Sequence, residues 1–176
     1  MKDPIVHKSK HLSLVLRHKP ESVGLTLDPA GWVSVQALLP AMHMSMEELE
    51  QVVADNNKKR FEFNADKTQI RACQGHSVDV VLGYDEKIPP DILYHGTSQD
   101  FHYAIMTEGL QKMQRHHVHL SADKETALIV ARRRRSPIIL KVDSSAMKLD
   151  EYKFFLSTNG VWLVENVPPK YLTLLT

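Results

Sequence analysis

Cysteine is all but missing from this chain: Cys73 is the only one. A single thiol excludes an intrachain disulfide and any zinc site built from several cysteines, and it suits a reducing compartment. Long apolar runs are missing too. No stretch approaches the ~20 residues that a membrane-spanning helix needs. Met1-Lys2-Asp3-Pro4 opens the chain without the apolar core of a signal peptide, so a soluble cytoplasmic protein is expected. Neither sign of charge dominates. A formal net charge of +1 gives no general electrostatic grip on nucleic acid, although a small net value is compatible with a local basic cluster. There is no Walker-type phosphate loop, no glycine-rich dinucleotide fingerprint and no Gly-x-Ser-x-Gly elbow, so any nucleotide must be held in another way. Internal repeats and low-complexity segments are likewise absent. The 176 residues, 43% hydrophobic and 24% charged, are enough for one domain or two small ones with a real core.

Periodicity organises the first half. Leu12, Val15 and Leu16 lie at helical spacing within a helix expected over Lys8 to His18, stopped by Pro20. Asp28-Pro29-Ala30-Gly31 is a turn, Trp32-Val33 a short strand, and Ser34 can cap a short helix through Leu39. Ser45-Met46-Glu47-Glu48 matches a capping box and opens a helix ending near Asn56-Asn57. Phe61–Phe63 and Gln69–Ala72 read as strands joined at Asn64-Ala65-Asp66-Lys67. Three helices followed by a hairpin is the order of a winged-helix domain. The stretch from Gly83 to Asp91 breaks every periodicity and holds two prolines, which predicts a linker over 83–91 between lobes spanning 1–82 and 92–176. In the second lobe, strands are expected at Ile92–Tyr94, Val118–Leu120, Ile138–Val142, Gly160–Glu165 and Tyr171–Leu175. Helices are expected at Asp100–Glu108, ended by Gly109, and from Lys124 to about Arg133. The predicted class is α+β.

Two polar words stand out in that second lobe: Tyr94-His95-Gly96-Thr97 and His117-Val118-His119-Leu120-Ser121. Each places histidine beside small hydroxyl residues in a strand-like setting, where an unsatisfied buried group costs ~1–3 kcal/mol. Either the fold or a ligand must satisfy them. Arg17-His18 closes the first helix, where a cation favours the helix C-terminus. Arg71 ends a strand just before Gln74-Gly75-His76-Ser77, which reads as an ordinary loop or as a polar site. Arginine suits phosphate because its planar fork donates two parallel hydrogen bonds and its charge is permanent. Arg132-Arg133-Arg134-Arg135 is the only dense basic run, and on a helix its members would sweep most of the circumference, leaving at least two solvated. His116, His117 and His119 invite a metal reading, but no nearby carboxylate or cysteine pair completes a site, so no metal is expected. Ser157-Thr158-Asn159-Gly160-Val161-Trp162 pairs a turn with an aromatic strand.

Taken together, these words resemble the RNA 2′-phosphotransferases of the KptA/Tpt family. The matching segments begin with Ser9-Lys10-His11-Leu12-Ser13 through Leu16-Arg17-His18, then Gly24 to Asp28 with Gly31-Trp32-Val33, then Ile70-Arg71-Ala72 with Gln74-Gly75-His76-Ser77. They continue with Leu93-Tyr94-His95-Gly96-Thr97, His117 to Ser121, Thr126-Ala127 and Asn159-Gly160-Val161-Trp162-Leu163, in the family's order over nearly the whole length. The resemblance implies an N-terminal winged-helix lobe and a C-terminal ADP-ribosyltransferase-like mixed α/β lobe, with the active site between them. It carries the family's catalytic set onto Arg17, His18, Arg71 and Arg133. The family pattern Val-Gly-x-Arg-x-Gly-x-Pro, laid on Val130 and Pro137, selects Arg133, although Ala131 and Arg135 stand where glycines are usual; Arg132 and Arg134 are the alternatives. It places NAD on His95, Gly96, Thr97, His119 and Ser121, with Asn159 and Gly160 near the nicotinamide end.

The implied reaction has two steps. An RNA 2′-phosphate attacks the anomeric carbon of the nicotinamide ribose, expelling nicotinamide and leaving 2′-phospho-ADP-ribosylated RNA. The ribose 2″-hydroxyl then attacks phosphorus, freeing 2′-hydroxyl RNA and ADP-ribose 1″,2″-cyclic phosphate. The first step needs placement of an anionic nucleophile more than its activation. The second builds charge on phosphoryl oxygens, which fixed guanidinium groups stabilise. The implied partners are NAD, consumed as co-substrate, and a tRNA-like 2′-phosphorylated RNA of the kind left by tRNA splicing, acted on by a monomer without a metal. Two other readings stand beside this one. One is an ADP-ribosyltransferase acting on phosphate ends of nucleic acid, or on protein, and stopping after the first step. The other is a non-catalytic winged-helix regulator, for which a first lobe with 11 Lys+Arg against 12 Asp+Glu through Ile88 is a poor duplex-binding footprint.

Overall fold

A computed structural model of the chain describes residues 4–56 and 59–175. The N-terminal Met1-Lys2-Asp3, and Asn57 at the expected end of the third helix, lie outside the described residues. The chain divides into two compact units, Met1–Gly83 and Tyr84–Thr176. Both are mixed α/β, and among the described residues all strand pairs are antiparallel, with six α-helices in total.

Unit 1 opens with α1 (Pro4–Arg17), a turn longer than expected because Pro4 is tolerated at a helix start. Its apolar stripe, Leu12, Val15 and Leu16, is fully buried. His18 and Lys19 both donate their backbone N–H to the Leu14 carbonyl, and Pro20 then forbids continuation. Next come β1 (Val33–Ser34), α2 (Val35–Ala41) and α3 (Met46–Ala54). The capping box forms as the sequence predicts: Glu48 N–H donates to Ser45 Oγ at 3.2 Å, and Ser45 N–H to the Glu48 carboxylate at 3.1 Å. β2 (Phe61–Phe63) and β3 (Gln69–Ala72) complete a sheet in the order β1-β3-β2. Leu38, Leu49 and Ile70 join the α1 stripe in one core, each contributing roughly 1.5–3 kcal/mol by burial.

Unit 2 holds two three-stranded sheets. The first, in the order β11-β7-β4, contains β4 (Ile92–Ser98), β7 (Pro137–Asp143) and β11 (Leu172–Leu175). The second, β6-β9-β8, contains β6 (Val118–Leu120), β8 (Phe154–Leu156) and β9 (Trp162–Val164). A smaller pair joins β5 (Leu110–Gln111) to β10 (Asn166–Val167). The helices are α4 (His102–Glu108), entered through a 3₁₀ turn at Gln99–Phe101, α5 (Lys124–Ala131) and α6 (Ser144–Leu149). Strand β4 runs four residues beyond Tyr94, through His95-Gly96-Thr97, because all of it finds register with β7, from Ile92↔Asp143 to Ser98↔Pro137. Within the segment expected to link the lobes, Lys87 N–H donates to the Phe154 carbonyl, and the Pro90 carbonyl accepts from Ser144 Oγ. Helix α5 ends at Ala131, short of Arg133. The arginine run therefore leaves the helix as a turn, closed by Arg134 N–H to the Ala131 carbonyl and followed by Pro137. Among the described residues no helix is long and apolar enough to cross a membrane.

Candidate active site

In unit 1 the Gln74-Gly75-His76-Ser77 word docks on the C-terminal end of α1. Ser77 N–H donates to the Arg17 carbonyl at 2.9 Å, and His18 Nδ1 lies 2.8 Å from Ser77 Oγ. The word is not an ordinary surface loop, for His76 is only 1% exposed and packs beside Gly31. The Arg17 side chain is partly buried, with Nε and Nη2 withdrawn from solvent. The fold thus unites Arg17-His18 with the polar word that follows Arg71.

Arg71 has protein partners of its own. Its Nε donates to Glu62 Oε1 at 2.6 Å, its Nη1 to the Ala30 carbonyl at 3.2 Å, and its guanidinium lies 4.5 Å from the Trp32 ring centroid. The side chain is 14% exposed. With Nε and Nη1 engaged, the edge that remains to meet an anion is the Nη2 end. Arg71 is therefore a packing residue of the β2–β3 hairpin as well as a candidate ligand, which its sequence context alone does not reveal.

In unit 2 the two histidine words meet. Tyr94 and Ser121 exchange backbone hydrogen bonds, N–H to carbonyl at 2.9 and 2.8 Å, joining β4 to the end of β6. His95 Nδ1 lies 3.0 Å from the His119 carbonyl. A carbonyl can only accept, so Nδ1 carries the proton and Nε2 presents a lone pair. Burial, reinforced by the nearby Arg115 and Arg134 charges, pushes the His95 pKa down, with the His119 carbonyl opposing, so the ring is neutral at pH 7. His119 has the opposite tautomer: Arg115 Nη1 stands 3.1 Å from its Nδ1, and a guanidinium can only donate, so His119 Nε2 carries the proton. The two rings thus carry their protons on different nitrogens. His117 instead packs its ring 5.6 Å from that of Phe155, and burial lowers its pKa. Among the described residues no three His, Cys, Asp or Glu side chains are placed to share a metal ion.

Gly96 has a packing reason. A Cβ there would lie 2.0 Å from the Ala127 carbonyl oxygen and 2.9 Å from Ala131 N, so α5 rests directly on β4. Ala127 and Ala131 are fully buried in that contact, and Asp123 caps α5, its carboxylate accepting from the Thr126 N–H and hydroxyl. Gly96→Ala is expected to destabilise unit 2 by about 3 kcal/mol or more, read as a lowered urea midpoint with an unchanged m-value. Thr97 is buried beside it. Asn159 and Gly160 form the β8–β9 turn: Ser157 Oγ donates to Asn159 Oδ1 at 2.7 Å, and Gly160 N–H to the Ser157 carbonyl at 2.9 Å. The register Leu120↔Trp162 sets this turn at the same end of the sheet as Ser121.

All four members of the arginine run are exposed on their turn. Arg134 lies 5.6 Å from the Phe101 ring centroid and within electrostatic reach of His95 and Arg115. Sequence reasoning missed Arg115, Glu62 and the His18–Ser77 pairing. Only Glu62 left a signal, since pairing the two predicted strands across their turn sets it opposite Arg71.

The family profile described as RNA 2′-phosphotransferase, Tpt1 / KptA family, matches residues 3–166. The chain is 53% identical over 169 residues to a "Probable RNA 2′-phosphotransferase" of Flavobacterium johnsoniae, covering 93% of each sequence. It is 52% identical over 169 residues to one of Burkholderia pseudomallei, covering 93% of this chain and 92% of the relative. A relative of the same name in Fusobacterium nucleatum is 49% identical over 176 residues, with 97% and 98% covered.

Proposed function

The chain belongs to the Tpt1/KptA family of RNA 2′-phosphotransferases, and from that premise we propose that it transfers an internal RNA 2′-phosphate to NAD in the two steps set out above. The finer fold names, winged helix for unit 1 and ADP-ribosyltransferase-like for unit 2, belong to the same proposal, as does action by a cytoplasmic monomer on a tRNA-like substrate.

The observation that carries the reading is the junction of the two histidine words. His95 supplies a neutral ring with an Nε2 acceptor, and His119 an Nε2–H donor. That set suits the hydroxyls of a ribose, and Arg115 and Arg134 beside it suit a diphosphate. Thr97, Ser121 and the Asn159-Gly160 turn complete the cofactor set we assign, with Gly96 holding β4 against α5. NAD supplies the electrophilic anomeric carbon and a nicotinamide leaving group; the chain supplies placement and charge. Arg17, His18 and the Nη2 edge of Arg71 hold the 2′-phosphate, with Ser77 fixing the His18 ring. Arg133 acts mainly in the second step, where charge gathers on phosphoryl oxygens.

The test is nicotinamide release from NAD in the presence of 2′-phosphorylated RNA. Release that depends on the 2′-phosphate supports the reading, and NAD left intact refutes it.

A further inference from the structure

An open cleft of ≈ 460 Å³ lies along one face of α1 in unit 1, and nothing in the reaction above uses it beyond Arg17 at one end. Ile5, Ser9, Ser13 and Arg17 line it at successive four-residue steps, so they form one seam with ~6 Å between neighbours. The seam passes from an apolar side chain through two hydroxyls to a guanidinium. Small serines on a helix usually permit close helix packing, but here an open cleft stands over them.

The opposite wall continues the polar pattern. Arg60 Nη1 donates to Asn56 Oδ1 at 2.9 Å, and Asn56 Nδ2 donates to Ser9 Oγ at 3.1 Å. Both bonds run in the same donor direction, from Arg60 through Asn56 to Ser9. Arg60 is partly buried against a neutral amide, so its charge is not cancelled by that partner. Lys10 is exposed at the rim, and Asp55 is the single carboxylate of the lining. Three cations against one anion make a local positive strip on a unit whose Lys+Arg and Asp+Glu are equal in number. Ile5 and Val52 give it an apolar floor.

We propose that this cleft is an RNA subsite, holding the phosphodiester strand next to the nucleotide whose 2′-phosphate meets Arg17. Lys10, Ser13 and Arg60 donate to backbone phosphate, and the apolar floor takes a ribose or base face. This is a sequence-independent grip, as expected of contacts to phosphate and sugar. A strip one helix face wide suits a single strand better than a duplex. The inference rests on Arg17 being a ligand of the 2′-phosphate.

The experiment compares the wild-type chain with Lys10→Glu and Ser13→Asp on a 2′-phosphorylated dinucleotide and on a longer 2′-phosphorylated oligonucleotide. Both binding, by fluorescence anisotropy across salt concentrations, and turnover with NAD are measured. Lys10 is exposed, so Lys10→Glu is expected to fold normally, checked by its thermal melt. The expected result is ~10-fold weaker binding of the longer RNA, with a salt slope smaller by about one, and unchanged turnover of the dinucleotide. Equal losses on both substrates, or none on either, would overturn the subsite. Failure of the wild-type chain to consume NAD would instead sink the phosphotransferase reading, while the binding comparison would still decide the cleft.

Discussion

Arg71→Ala is expected to lose at least ~100-fold in turnover and about 2–3 kcal/mol of stability together. The stability loss follows from what Arg71 touches: Glu62 Oε1 at 2.6 Å, the Ala30 carbonyl and the face of Trp32. Removing the guanidinium strands the Glu62 carboxylate and exposes one side of the indole. The activity loss follows from the proposed phosphate contact of its Nη2 edge. Two controls separate the effects. Glu62→Gln keeps an acceptor for Arg71 Nε and should retain most activity. Arg71→Lys keeps the charge but cannot meet Glu62, Ala30 and an anion at once, so it should recover little turnover. Turnover and urea denaturation of the three variants check this. Wild-type turnover in Arg71→Ala would remove Arg71 from the phosphate site.

The second large effect is expected at the arginine turn. Arg133→Ala should slow the second step by ~10²–10³ while the first changes only a few-fold, so phospho-ADP-ribosylated RNA accumulates in a time course. The run leaves α5 at Ala131 and crosses a turn, so each arginine projects separately. Arg134 already lies over Phe101 and beside His95 and Arg115. If Arg134→Ala traps the intermediate and Arg133→Ala does not, the alignment through the run is off by one.

Much of the frame was legible because its signals are local. The Ser45–Glu48 capping box, the β2–β3 strands and the stop at Pro20 each rest on a few neighbouring residues. What escaped notice depends on pairing at a distance. Strands β5 and β10 are two residues each and exist because they bond one another. Helix α6 follows β7 with no turn residue between them, capped by the strand's own Asp143. Strand β4 is expected to stop at Tyr94 because Gly96 is a poor strand former; seven register pairs with β7 override that preference. The site divides in the same way. The histidine words are conspicuous in the sequence, and their union through Tyr94 and Ser121 is what makes them a site. Arg115 lies in an irregular segment where no periodicity directs a side chain, so its contact with His119 could not be read.

The most direct test of phosphate transfer to NAD follows the phosphorus itself. An RNA carrying one radiolabelled internal 2′-phosphate is incubated with the protein and NAD, and the labelled products are separated. The expected outcome is complete passage of label into ADP-ribose 1″,2″-cyclic phosphate, with release of nicotinamide and 2′-hydroxyl RNA. Label that stays on ADP-ribosylated RNA would make the protein an ADP-ribosyltransferase that stops after the first step, and label released as inorganic phosphate without NAD would contradict phosphate transfer altogether.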